Sequence, residues 1–250
     1  GSGGFGSRRI RPNFMMTSLN LLRRHWATAS DTEIAASLRS AHASLTAFSR
    51  VTTRSGSLLQ SWVKKTAVVE YDHYPPNDVV DVRSGSQFFY HCHRSAEAEH
   101  GHVHLFWHAM ASGKRRYFPE KTPKWGTTAP SHLLAISLDD RGLPVALFTV
   151  NLWVTDGYWF DAETTLGMVD RFRLDGVTGH AGSCAWITHF VRMYRPVIAE
   201  LMHRRDQRLA RYKDFDRALQ NRRLEVTSLI NVDWASDLDA LEVESSRRKP

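Results

Sequence analysis

The chain has 250 residues, of which 42% are hydrophobic and 24% are charged, and these are ordinary values for a globular protein. No run of about 18 apolar residues occurs, so we predict no membrane-spanning helix. Two cysteines, Cys92 and Cys184, cannot build a disulfide framework, which favours a cytoplasmic location.

Positive charge is concentrated at the start of the chain, where residues 1–65 carry 10 Lys and Arg against 2 Asp and Glu. Such an excess can bind nucleic acid or anionic lipid. However, the arginines are not interleaved with stacking aromatics, and neither a zinc-finger spacing nor an RNA-recognition signature occurs. We therefore favour a solvated helical surface and keep nucleic-acid binding as an alternative.

The first quarter of the chain reads as helical. We interpret residues 1–15 as a tag remnant and disordered leader, and residues 16–66 as a helical segment. A capping box at Ser30 and Glu33 predicts the start of a helix. Its apolar residues recur at helical spacing on one face: Ile34, Leu38, Ala41, Leu45 and Phe48. Shorter helices are predicted over Leu19–Trp26 and Leu58–Lys65.

Residues 67–230 are predicted to form an α+β core. The run Pro75, Pro76, Asn77 and Asp78 predicts irregular structure. Four strands should follow, over Gln87–His93, Gly101–His108, His132–Leu138 and Leu143–Asn151. Helices are predicted over Asp161–Phe172 and Ser183–Tyr212, and Pro196 should kink or split the second. Residues 231–250 are taken as a C-terminal tail. The fold class is thus α+β, with a central antiparallel sheet between N-terminal and C-terminal helices.

The distribution of histidine departs most from chance. Six of the 13 histidines lie within residues 91–108: His91, His93, His100, His102, His104 and His108. Alternation in a strand places His91 and His93 on one face, and His102 and His104 with His100 on one face of the next strand. If His93 lies opposite His102, then His91 lies opposite His104, and the imidazoles converge.

Converging neutral imidazoles predict a divalent transition metal, since imidazole suits iron, zinc and copper. The predicted ligands are His91, His93, His100, His102 and His104. Arg94 and Glu99 are the predicted catalytic residues, because Arg94 could bind a substrate anion and Glu99 or Glu97 could complete a two-histidine, one-carboxylate iron site. Iron is favoured, with zinc or copper as alternatives.

We therefore expect a metal-dependent enzyme, an oxygenase, oxidoreductase or hydrolase, that acts on a small molecule or peptide. In such an enzyme the metal would activate O2 or water. The alternatives are a non-catalytic module that binds or senses metal or haem, and a basic nucleic-acid-binding protein. His132 could be a further ligand, although an exposed histidine at a strand start is favoured. Asp78 could orient an imidazole or belong to an ordinary turn.

Two resemblances can be stated. Gly85, His91, His93 and Glu97 match the first half of the cupin metal motif, whereas its second half does not appear. The segments at 71–78, 90–94, 99–104 and 147–155, with Tyr90-His-Cys-His-Arg94 and Glu99-His-Gly-His-Val-His104 as their centre, resemble an uncharacterised bacterial domain of unknown function over about residues 68–210. That resemblance implies no activity.

Overall fold

The computed structural model describes residues 17–63, 67–92, 100–111, 114–115 and 130–249. Its helices are α1 (Ser18–Trp26), α2 (Asp31–Ser55), α3 (Leu58–Val63), α4 (Leu152–Thr155), α5 (Ala162–Arg171), α6 (Ala181–Met193), α7 (Arg195–Leu209), α8 (Phe215–Leu219) and α9 (Trp234–Arg247). Its strands are β1 (Tyr74–Val80), β2 (Ser86–His91), β3 (Gly101–Trp107), β4 (Met110–Ala111), β5 (Lys114–Arg115), β6 (Ser131–Leu138), β7 (Pro144–Val150) and β8 (Val226–Asn231).

Six of these strands form one antiparallel sheet in the order β1-β2-β3-β6-β7-β8, and β4 pairs with β5 alone. Helices precede and follow the sheet in the chain. The predicted α+β class, with a central antiparallel sheet and terminal helices, is confirmed.

One face of the sheet packs against the helices and forms the main core. Phe88 and Tyr90 of β2 are fully buried there, and the Trp62 ring of α3 lies 5.7 Å from each of their rings. Behind them, α2 packs along α6, and α7 contacts β7 and β8. Because side chains alternate along a strand, the residues between these core positions point to the opposite face. That opposite face carries the histidines.

Helix α2 begins where the capping box predicts. The Ser30 hydroxyl accepts the backbone N–H of Glu33, and the Glu33 carboxylate accepts the backbone N–H of Ser30. The predicted apolar face is wrong at Leu45, which is 40% exposed. Ser44 is buried instead, and its hydroxyl donates to the Trp186 carbonyl in α6. Because its hydroxyl is hydrogen-bonded, Ser44 can occupy the buried position that hydrophobic periodicity predicts for Leu45.

The predicted long helix at 183–212 is split in two. Helix α6 ends at Met193 and α7 begins at Arg195, with Pro196 in its first turn, where the missing N–H of proline costs nothing. Residues 231–250, which we predicted to be a tail, contain α9. This helix begins after Asp233, whose side chain accepts the N–H of Ser236, and its residues Trp234, Leu238 and Leu241 are buried at helical spacing.

The run from Pro75 to Asp78 lies inside strand β1, which we did not predict, but the pairing of the strand is irregular there. Tyr74 pairs with Tyr90 and Val79 pairs with Phe88, so four residues of β1 bulge opposite Phe89 alone. An edge strand tolerates prolines, which lack the N–H donor. Asn77 and Asp78 take left-handed backbone angles (φ of 68° and 55°), which their side chains tolerate.

None of the helices in the described ranges combines the length and the apolar character that crossing a membrane requires.

Candidate metal centre

Strands β2 and β3 bring three histidines together on the sheet face away from the main core. His91 pairs with His102, and Phe89 pairs with His104. The predicted register, with His91 opposite His104 and His93 opposite His102, is therefore wrong by two residues. A shift of two residues keeps every side chain on its face, whereas a shift of one would have moved the histidines to the core side. For this reason the histidines still meet on one face of the sheet, as predicted, although their register differs.

We call His91, His102 and His104 the histidine triad. The Nε2 atom of His91 lies 2.7 Å from Nε2 of His102 and 3.2 Å from Nε2 of His104. The three rings stand nearly perpendicular to one another, with centroids 4.6 to 4.9 Å apart. Around a tetrahedral metal with ligands at about 2.0–2.1 Å, neighbouring nitrogens lie about 3.3 Å apart. One nitrogen atom from each ring is thus placed to coordinate one ion.

The triad lies among aromatic rings and is largely shielded from water. His102 is 6% exposed and His104 is 2% exposed. Phe89 packs against His91 and His104, and the Phe148 ring of β7 meets His102 edge-on at 5.1 Å. Desolvation lowers the pKa of His104 well below its ordinary value, and the neighbouring imidazoles act in the same direction. The imidazole of His104 is therefore neutral, the form that binds metals.

A fourth imidazole, His132 of β6, lies behind the triad. Its Nε2 atom is 2.9 Å from Nδ1 of His104. Strand β6 contains a bulge at this point, because Phe106 pairs with His132 while Leu105 pairs with Leu134. The extra residue, Leu133, rotates His132 onto the face of His104. His132 is partly buried rather than exposed as we favoured, and desolvation lowers its pKa to about 3.

Sequence reasoning also missed a hydrogen-bonded chain beside the triad. His73 stacks on Phe89, with ring centroids 3.6 Å apart, and its Nδ1 donates to Asp78 Oδ1 at 2.8 Å. Gln87 donates its amide N–H to the other Asp78 oxygen at 2.7 Å and accepts from His108 Nε2 at 2.6 Å. Asp78 therefore does orient an imidazole, that of His73. The β1 bulge that makes this contact has no signal in the hydrophobic pattern.

His100 does not join the triad. It lies just before β3 and is exposed, and its Nδ1 lies 2.6 Å from the hydroxyl of Tyr90, a core residue. Our prediction extended strand alternation one residue too far, since β3 begins at Gly101. Four other predicted site residues lie outside the described residues: His93, Arg94, Glu97 and Glu99.

Cys92 follows His91 but is not placed as a ligand. Its partly buried side chain packs against the main core, on the other side of the sheet. Desolvation raises the pKa of this thiol, and the nearby Glu70 carboxylate adds to the effect. Among the described residues, the candidate metal donors are therefore all imidazole nitrogens.

Comparison with known proteins gives a family but no activity. No match to this chain was found among curated proteins or among solved structures. The model of a domain of unknown function, DUF6969, matches residues 38–232. That range spans the histidine triad, His132 and the whole six-stranded sheet, so the chain belongs to the DUF6969 family.

Proposed function

We propose that the histidine triad binds one divalent transition metal ion and that the protein is a metal-dependent enzyme acting on a small molecule or peptide. The convergence of three Nε2 atoms, 2.7 and 3.2 Å apart at the closest pairs, carries this proposal. Imidazoles packed this closely in an aromatic environment have their lone pairs best satisfied by a shared cation.

The number of ligands among the described residues favours catalysis over a structural role. Structural zinc sites are usually closed by four protein ligands, often cysteines, whereas catalytic sites keep a position open for water or substrate. In the part of the chain that the structure describes, the triad offers three donors, and Cys92 packs against the core. A metal held this way supplies a Lewis acid and an activated water or dioxygen.

The donor set accommodates iron and zinc. A three-histidine set is a known zinc arrangement, while the iron site that we predicted requires a carboxylate from Glu97 or Glu99. Iron bound by a carboxylate would place the reaction among oxidations, and zinc would place it among hydrolyses. Arg94 and Glu99 stay candidates for substrate binding and proton transfer.

Metal analysis of the whole chain tests the proposal. Protein purified anaerobically without added metal should contain one metal per chain by elemental analysis. After replacement with Co²⁺, addition of azide should change the visible spectrum, because an open position exchanges ligands. A chain that takes up no stoichiometric metal would refute the site. A Co²⁺ spectrum indifferent to azide would refute the catalytic reading and indicate a closed, structural or storage site.

A further inference from the structure

We propose that His132 is the positioning residue of the metal centre: it accepts the Nδ1–H of His104 and thereby fixes the ring of His104 with its Nε2 lone pair toward the metal. This inference rests on the proposed function. It assigns a role to a residue of a third strand, β6, beside a triad that lies on β2 and β3.

The hydrogen bond has only one direction once His104 binds a metal. A neutral imidazole carries one N–H, and a ring that coordinates through Nε2 must carry it on Nδ1. Nδ1 of His104 lies 2.9 Å from Nε2 of His132, so Nε2 of His132 must accept. Ligating histidines usually donate their second N–H to an acceptor that fixes the tautomer and ring orientation. Here an imidazole takes the place that a carboxylate or carbonyl usually has.

A buried arginine lies beside His132. The guanidinium of Arg205, which is 4% exposed, lines the same small cavity as His132 and donates to the Phe160 carbonyl at 2.7 Å and to the Asp206 carboxylate at 2.8 Å. These hydrogen bonds fix the guanidinium and do not involve His132.

The cavity that His132 shares with Arg205 is suited to a water molecule. It has a volume of about 20 Å³, which is enough for one water. Its polar lining includes Arg205 and Ser131, and the buried Ser131 hydroxyl has no partner among the described residues. A water bound there would give this hydroxyl a hydrogen-bond partner.

Two substitutions of His132 separate positioning from packing. In His132→Gln the amide oxygen can still accept from His104, whereas His132→Leu fills similar space without an acceptor. We expect Leu to weaken Zn²⁺ affinity by about 10–100-fold and Gln to retain most of it. The control is His189→Leu, which replaces another partly buried histidine, on α6 in the helical layer, and should leave the affinity unchanged.

A spectroscopic measurement on the unmodified chain completes the test. Long-range ¹H–¹⁵N correlation of the Zn²⁺-loaded protein should show His104 protonated at Nδ1. The opposite tautomer, or equal affinity in wild type and His132→Leu, would overturn the role of His132 while leaving the metal site intact. If the wild-type chain binds no Zn²⁺, the proposed function fails and this inference fails with it. If His132→Leu does not fold, the Zn²⁺ affinity of His132→Gln and the tautomer of His104 in the wild-type chain test the role of His132.

Discussion

Residues of the histidine triad face a conflict that only a proton or a cation resolves. Two Nε2 atoms 2.7 Å apart, those of His91 and His102, cannot both direct lone pairs at each other without repulsion. In the metal-free protein one ring must therefore donate a proton to the other. A bound metal ion would replace this one hydrogen bond by three coordinate bonds. The triad is therefore most stable when the ion is present.

Alanine substitution should show that metal binding depends on the triad. We expect His102→Ala and His104→Ala to abolish stoichiometric metal binding while the helical circular dichroism signal is retained, because the helices pack on the other sheet face. His42→Ala is the control, since His42 is exposed and bonded to Glu242. Elemental analysis measures the outcome, and loss of metal from the His42 variant as well would contradict it.

Much of this site is readable from the sequence, because clustering and spacing of histidines determine the face on which they lie. His91, His102 and His104 follow from strand alternation. His132 does not, since the bulge at Leu133 inverts the alternation and nothing in the apolar run of β6 marks it. His73 is likewise brought in by the irregular course of β1.

At the scale of elements, a buried carboxylate connects the end of strand β1 to a distant loop. Asp81 follows β1 and accepts the backbone N–H groups of Arg83 and Ser84 in the β1–β2 turn and of Gly176 in the loop before α6. Desolvation alone would raise the pKa of Asp81, but the backbone hydrogen bonds outweigh it and lower the pKa. The carboxylate therefore stabilises the fold above its unfolded pKa, and this stability is lost as the pH falls through the lowered folded value.

Removing the Asp81 carboxylate should destabilise the protein without touching the triad. We expect Asp81→Ala to lower the free energy of unfolding at pH 7 by about 3 kcal/mol, because three N–H groups lose an ionised acceptor. Asp175→Ala, at an exposed position in the same loop, should change it little. Urea denaturation measures both, and equal effects of the two substitutions would be evidence against the role assigned to Asp81.

Element boundaries that depend on local chemistry are predictable, as the capping box of α2 and the split at Pro196 show. Strand β1 could not be predicted in this way. Its two prolines argue against a strand, and they are tolerated only because β1 lies at the edge of the sheet. Helix α9 had an adequate signal, because Trp234, Leu238 and Leu241 have helical spacing and are buried. The charged residues between these positions hid that pattern.

At the scale of the whole molecule, one buried carboxylate joins three distant parts of the chain. Asp237 of α9 is fully buried, and its Oδ2 accepts from Ser18 of α1 at 2.5 Å and from Tyr194, between α6 and α7, at 2.7 Å. Desolvation raises the pKa of Asp237, although these two hydrogen bonds lower it in part. A raised folded pKa stabilises the fold most below the unfolded pKa of about 3.9 and ceases to do so as the pH rises through the folded value.

Neutralising Asp237 should therefore reduce the pH dependence of stability. An amide oxygen in Asp237→Asn can accept both hydrogen bonds, so we expect this variant to be at least as stable as wild type at pH 8, with the difference shrinking toward pH 4. Asp237→Ala, which loses both bonds, should be less stable than wild type throughout. Thermal unfolding across this range measures the curves, and a constant offset between wild type and the Asn variant would count against a raised pKa.

The pairing of β8 with β7 constrains how this protein can be made. Residues 151–225 separate the two strands, so during synthesis the outer edge of β7 stays open on the ribosome until β8 has emerged. An open edge can pair with another nascent or unfolded chain. The edge of β7 is then most exposed to aggregation in the interval between translating the two strands.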